Sequence, residues 1–356
     1  MKFLKFPFVV QQEILRFLDL NLVFNLSLLS SKMGRLTHSC VFKGIKMICF
    51  DTTGPHFTLS AITQNDDVLG IVMIRPRREL RSENKRNARF SGVDVLYCVD
   101  PVANYTTILL KQSPHEPIVR KVHDHVAAIF GKQLPYWISS HTNSQDKLFI
   151  PSYITPERVS VEVKSKKDAI KFDDWIQMIP QPNHITVIAS AAITVWDNPK
   201  FHRAQTLNMM NPNFTTQEIL PRFKGKYLVL NRANCSDLHV MEFLDDWQTN
   251  KGYQNIKLVD IFLQVTTAFE QARIRELFEI EELADGKESL AFRYPTEECS
   301  KINSFQKEYS HREYIVRESD GVVASIFLNA KRFEFVVHDF TEEEMRGEME
   351  DVAIEN

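Results

Sequence analysis

The sequence predicts a mixed α+β protein with an α/β portion. It would have a short three-helix N-terminal module, a mixed β-rich middle and repeat-like βα units toward the C-terminus. Three observations carry this. Apolar residues recur at helical spacing over the first forty positions. Short β-branched runs bounded by Gly, Pro, Asn and Asp recur through the middle. A strand, an amphipathic helix and a second strand follow one another between Lys226 and Leu263.

The opening helices come from Val10, Ile14, Leu15 and Leu18, then Leu22, Leu26 and Leu29, then Met33 and Leu36. Pro7 stands where a first helical turn tolerates a missing N–H. Asp19 and Asn21 separate the first helix from the second, and Ser30 and Ser31 offer capping hydroxyls to the third. Gly34 counts against that third helix by about 1 kcal/mol relative to Ala. Helices this short are marginal alone, and their apolar faces are wider than three of them can bury among themselves. The surplus is expected to face the rest of the chain or another protein.

Strands are predicted at Phe42–Thr52, Val68–Ile74, Val93–Cys98 and Thr106–Lys111. The run from Arg75 to Arg89 holds seven basic residues against Glu79 and Glu83, a net charge of +5. It fits a solvated loop, a nuclear-import signal or a phosphate-binding patch, and no aromatic residue interleaves it before Phe90. Val122–Phe130 reads as a short helix or strand. On a strand, His123 and His125 would share a face and invite a metal, although no partner ligand stands at a known spacing. Gly131–Pro156, rich in Pro, Ser, Thr and Asn, reads as an irregular interdomain region.

Beyond it, a strand is predicted at Val159–Val163, a helix at Asp168–Ile179, a strand at Ile185–Val195 and a helical stretch at Thr216–Phe223. Then come a strand at Lys226–Asn231, a helix at Leu238–Trp247 with Leu238, Met241, Leu244 and Trp247 inward, and a strand at Ile256–Leu263. This is a parallel βαβ unit with a step of 29 residues from Val229 to Leu258. Asp320-Gly321 predicts a hairpin turn between Tyr314–Arg317 and Val323–Leu328, with one more strand at Phe333–His338. From Asp339 onward the net charge is −7, which reads as a frayed tail. The expected divisions are 1–42, 43–183 with the basic loop 75–89, 184–340, and the tail 341–356.

The first forty residues resemble the F-box. The matching residues are Phe6-Pro7, Glu13-Ile14-Leu15, Leu18-Asp19, Asn25-Leu26-Ser27-Leu28 and Ser31-Lys32. They are most similar to the opening of nematode F-box proteins, with Phe6 in place of the usual Leu and Gly34 where a good helix former is expected. Trp196, Leu228-Val229-Leu230, Leu238, Glu242-Phe243-Leu244, Trp247 and Gly252 look like the F-box-associated domain, type 2, of the same proteins. Arg317 to Gly321 with Ala324-Ser325-Ile326 resembles that domain's ending. The resemblance implies a substrate-recognition subunit of an SCF-type ubiquitin ligase. It would bind a Skp-type adaptor, and through it a cullin, with Phe6, Pro7, Ile14, Leu18, Leu22 and Leu26. The C-terminal domain would hold a protein substrate that the sequence does not name.

The remaining features point away from chemistry. The five cysteines are scattered and never form CxxC, which fits buried thiols in a reducing compartment, cytoplasmic or nuclear. The chain lacks GxGxxG, GxxxxGK[ST], GxSxG and HExxH, and has 11 glycines in 356 residues. The acidic pairs, such as Asp245-Asp246, diverge on a helix and make poor acid/base partners. A net charge of −3 and no apolar run of about 18 residues imply neither a nucleic acid nor a membrane as partner. The expectation is a non-catalytic protein without cofactor or metal. Two other classes stay open: an interaction protein with no ligase role, and an enzyme or nucleic-acid binder using the basic run.

Overall fold

A computed structural model of the chain describes residues 3–53, 56–76, 86–90, 93–100, 105–110, 116–131, 133–141, 153–189, 198–210, 219–264, 268–294 and 308–347. The chain forms two compact units, Met1–Val161 and Glu162–Asn356. Helices and sheet are mixed in both, in keeping with the α+β class read from the sequence.

The first unit opens with α1 (Phe8–Arg16), α2 (Leu20–Leu29) and α3 (Ser31–His38). Pro7 stands at the N-cap position of α1, and the Ser30 hydroxyl accepts from the Met33 N–H at 3.2 Å to start α3. Asp19 stands at the N-cap position of α2 without a side-chain cap bond, whereas Asn21 lies in its first turn and is buried there. Asn21 is therefore not the breaker its type implies. Its carbonyl accepts from the Thr106 hydroxyl at 3.2 Å. Gly34 sits inside α3, and a Cβ there would lie 3.2 Å from the Ser27 carbonyl oxygen of α2. The missing side chain lets two helices approach closely, which offsets its poor propensity.

The sheet of this unit contains β1 (Ile45–Thr53), β2 (His56–Thr63), β3 (Val68–Pro76), β4 (Arg86–Phe90), β5 (Val93–Asp100), β6 (Tyr105–Leu110), β7 (Tyr136–His141) and β8 (Arg158–Val163). Its order is β8-β7-β1-β2-β3-β6-β5-β4. The β1–β2–β3 meander is antiparallel, and β7 and β6 join β1 and β3 in parallel. β2 and β7 were not read from the sequence. β7 falls in the stretch expected to be irregular, and its register with β1 is what orders it. Residues 77–85 of the basic run lie outside the described residues, and Arg86 belongs to edge strand β4.

α4 (Glu116–Phe130) corrects the strand alternative, with Pro117 in its first turn. Val119, Val122 and Val126 are buried at helical spacing. Successive helical residues turn by about 100°, so His123 and His125 point apart and share no metal. His123 meets Tyr136 and Tyr153, and His125 meets Phe24, His38 and Ser27.

In the second unit α5 (Lys166–Met178) precedes β9 (His184–Ala189), α6 (Pro199–Arg203), β10 (Thr206–Met210), β11 (Tyr227–Ala233), α7 (Asp237–Gln248) and β12 (Leu258–Leu263). β9 to β12 are parallel neighbours in chain order. His184, Thr206, Tyr227 and Leu258 stand in one row, so the steps along the chain are 22, 21 and 31 residues. The βα units are repeat-like but unequal, and the expected 29-residue step is 31 in the observed register. Trp196 lies outside the described residues.

The remaining elements are α8 (Gln271–Leu277), β13 (Glu281–Glu282), β14 (Leu290–Arg293), β15 (Glu308–His311), β16 (Glu313–Val316), β17 (Val322–Leu328) and β18 (Arg332–Thr341). The sheet continues β12-β18-β17-β16-β13, antiparallel throughout. The predicted hairpin forms between β16 and β17, with Gly321 at φ +71. One sheet face packs on α7 through Phe243, Trp247 and Phe335. The other lies under the β14–β15 hairpin, where Tyr294 and Tyr309 cover Tyr227, Leu258 and Val336. Residues 342–347, in the stretch expected to fray, are helical, and Met345 is buried with Leu283, Leu290, Tyr314 and Val323. Residues 348–356 lie outside the described part.

Candidate protein-interaction surface

The three N-terminal helices bury one face and leave another in water. Leu15, Met33, Leu36 and Cys40 form their shared core, with Leu18, Leu26, Phe3 and Phe42 packed against it. Val23 and Phe24 of α2 are also fully buried. The Ser27 hydroxyl meets His125 Nε2 of α4 at 2.7 Å. Burial, and then the nearby His38, hold the His125 imidazole down at a pKa of about 4.

The outer face is apolar to an unusual degree. Nine of the eighteen exposed large apolar side chains among the described residues fall before residue 42: Leu4, Phe6, Phe8, Val9, Val10, Phe17, Leu22, Leu29 and Val41. Phe17 is 87% exposed and Val9 66%. Single exposed apolar residues are ordinary; the distinctive feature here is how many fall within one short N-terminal segment. Glu13 and Arg16 pair with each other within this face.

Of the six residues singled out from the sequence, Phe6, Pro7 and Leu22 are exposed, while Ile14, Leu18 and Leu26 are half-buried. Leu18, Leu22 and Leu26 line one groove of about 570 Å³ together with Asn25, Leu29, Arg86, Tyr97, Cys98 and Val99. A second cleft of about 650 Å³ lies where α1 meets α2, with Phe17, Leu18, Val41, Lys43, Val68 and Leu69 among its walls. Phe6, Pro7 and Ile14 line neither. Phe8, Val9, Phe17 and Val41 were not singled out from the sequence, and Leu29 was read only as part of a helical stripe. The signal for Val9 and Phe17 is the i, i+4, i+8 spacing of Val9, Glu13 and Phe17, which sets two large apolar residues on the side away from Leu15.

The second unit holds a buried polar chain that the sequence did not announce. Arg332 grips Asp260 through two bonds of 3.0 and 2.8 Å and meets Glu334 Oε1 at 2.6 Å. Tyr309 donates to Asp260 at 3.1 Å. His311 Nε2 donates to Glu334 at 2.5 Å, its Nδ1 meets the Ser325 hydroxyl at 3.2 Å, and His338 Nε2 meets that hydroxyl at 2.9 Å. Desolvation, with His311 nearby, keeps His338 neutral down to about pH 4. Ser, His and Glu in this order invite comparison with a hydrolytic triad. Ser325 is fully buried and Glu334 only 3% exposed, so no substrate reaches them in this structure. The chain of bonds ties the β14–β15 hairpin to the sheet.

Among the described residues no group of three or more His, Cys, Asp and Glu is placed to hold a metal, and no helix is long and apolar enough to cross a membrane. Cys40, Cys49, Cys98 and Cys235 are buried thiols that form no disulfide among the described residues. Comparison with known protein families, with curated proteins and with solved structures returned no match.

Proposed function

We propose that this chain is a non-catalytic substrate-recognition subunit of an SCF-type ubiquitin ligase. Its N-terminal helices would bind a Skp-type adaptor, and its C-terminal part, 184–340, a protein substrate. The observation that supports this most is the apolar outer face of α1 and α2, with Phe6, Pro7 and Leu22 in the open. Covering a large apolar side chain contributes roughly 1.5–3 kcal/mol, so a few already rival an association cost of about 4–15 kcal/mol. Half-buried Ile14, Leu18 and Leu26 contribute less than exposed residues would. The subunit would act by proximity, raising the effective concentration of substrate lysines near the charged conjugating enzyme.

Co-expression with a Skp-type adaptor and size-exclusion chromatography test this. Co-elution with the wild-type chain is expected, and its loss in Leu22→Asp and Val9→Asp, whose side chains are open to water. An adaptor that fails to co-elute with the wild-type chain would sink the proposal. The inner face of α2, docked through Phe24 and Ser27, favours a second reading in which the helices serve as core and an interaction protein without a ligase role holds its partners through the βα surface.

A further inference from the structure

The groove between α2 and β5 combines an apolar lining with two features that plain apolar surface does not have. Leu22, Leu29 and Val99 leave it 40%, 56% and 44% exposed. Asn25, in its wall, holds an amide oxygen and an amide nitrogen that are both closed to water, and neither has a hydrogen-bond partner among the described residues. An orphaned buried amide is unfavourable by about 1–3 kcal/mol, and a Leu of similar size would avoid that loss. Arg86, on edge strand β4, lies exposed at the same groove and makes no ion pair among the described residues. It belongs to the stretch from Arg75 to Arg89, whose own net charge is +5.

We propose that this groove binds an acidic peptide segment of a partner protein that also bears large apolar side chains. Its apolar side chains seat against Leu22, Leu29 and Val99. A carboxylate pairs with the Arg86 guanidinium, whose planar fork suits that geometry. A peptide group or amide of the segment bonds the Asn25 amide, which reaches it by a turn about χ2, a torsion with a broad profile. A neutral or basic segment would strip water from Arg86 without compensation, which is why the partner is acidic. The proposal goes beyond the ligase reading, because it holds for an acidic apolar segment whatever protein carries it.

The test uses the full chain and a fluorescein-labelled peptide with Leu at i, i+3 and i+4 interspersed with Glu, beside a twin with Lys for every Glu. The acidic peptide is expected to bind, more weakly as salt rises, and the Lys twin to bind at least tenfold less well. Arg86→Glu and Arg86→Gln are expected to lower affinity by about tenfold or more and by a smaller factor respectively. Asn25→Leu should weaken binding about fivefold while the urea midpoint holds or rises, which separates recognition from folding. Equal binding of both peptides, no binding of either, or an unchanged affinity in Arg86→Glu and Asn25→Leu each overturn the proposal. A chain that binds the acidic peptide but no Skp-type adaptor removes the ligase reading and leaves this site standing. A chain that retains the adaptor but fails these tests does the reverse.

Discussion

α1 and α7 are both short amphipathic helices, and the protein treats them in opposite ways. α7 buries Val240, Met241, Phe243, Leu244 and Trp247 but leaves Leu238 exposed, which corrects the inward placement that its spacing implied. α1 buries Gln11 and Leu15 and leaves Phe8, Val9 and Val10 in water. That open face is what the proposed partner would cover. Apolar content does not separate core from open surface here. What separates them is whether a sheet lies opposite, as Phe335 does for Phe243 at 4.9 Å between ring centroids.

The largest expected effect tests the covered helix. Phe243→Ala or Trp247→Ala should destabilise the second unit by about 3–5 kcal/mol, read from the urea midpoint. Val9→Ser and Phe17→Ser on the open helix should shift it by no more than about 0.5 kcal/mol while reducing partner binding. A large stability loss in these variants would show that the open face is covered in solution.

A pH titration sharpens the same comparison. His125 and His338 sit at about 4 in the folded chain, below the ordinary 6.5, chiefly because burial disfavours their charged forms. Their stabilisation is complete above pH 6.5 and is lost as pH falls toward 4, because the unfolded state takes up the protons first. Each is expected to contribute on the order of 2–3 kcal/mol across that window. Denaturation at pH 7 and pH 5 should show His125→Gln and His338→Gln each flattening part of the loss. A pH-independent wild-type stability over this range would show that neither imidazole is buried neutral.

Smaller still is Gly34→Ala. The gain in helix propensity of about 1 kcal/mol meets a Ser27 carbonyl held at 3.2 Å by α2, so a net loss below about 1 kcal/mol is expected. A rise in stability would mean that α2 and α3 pack more loosely. Least of all, Glu13→Ala should change stability by under about 1 kcal/mol, since its pair with Arg16 is exposed.

Legibility in the sequence followed locality. The three N-terminal helices, α7, β11 and β12 were readable because period and caps are written within each segment. β7 was missed because Tyr136–His141 lies among prolines and serines, and only parallel pairing with β1 makes it a strand. β10 was missed for a similar reason: Thr206–Met210 is a strand because β9 and β11 flank it. Of the surface, Leu18, Leu22 and Leu26 were legible as one stripe, but not that β5 would face them across a groove.

By itself the sequence determined the helical module, the βα succession and the lack of a recognisable catalytic motif, since each rests on residues close together in the chain. Only the tertiary structure decided which apolar residues of that module stay in water. It also decided that the Asn25 amide is left without a partner among the described residues, and that Asp260, His311, Ser325, Arg332, Glu334 and His338 meet in one chain of bonds. Burial and hydrogen bonding depend on what long-range pairing brings opposite each side chain, and a residue's near neighbours in the chain do not specify that.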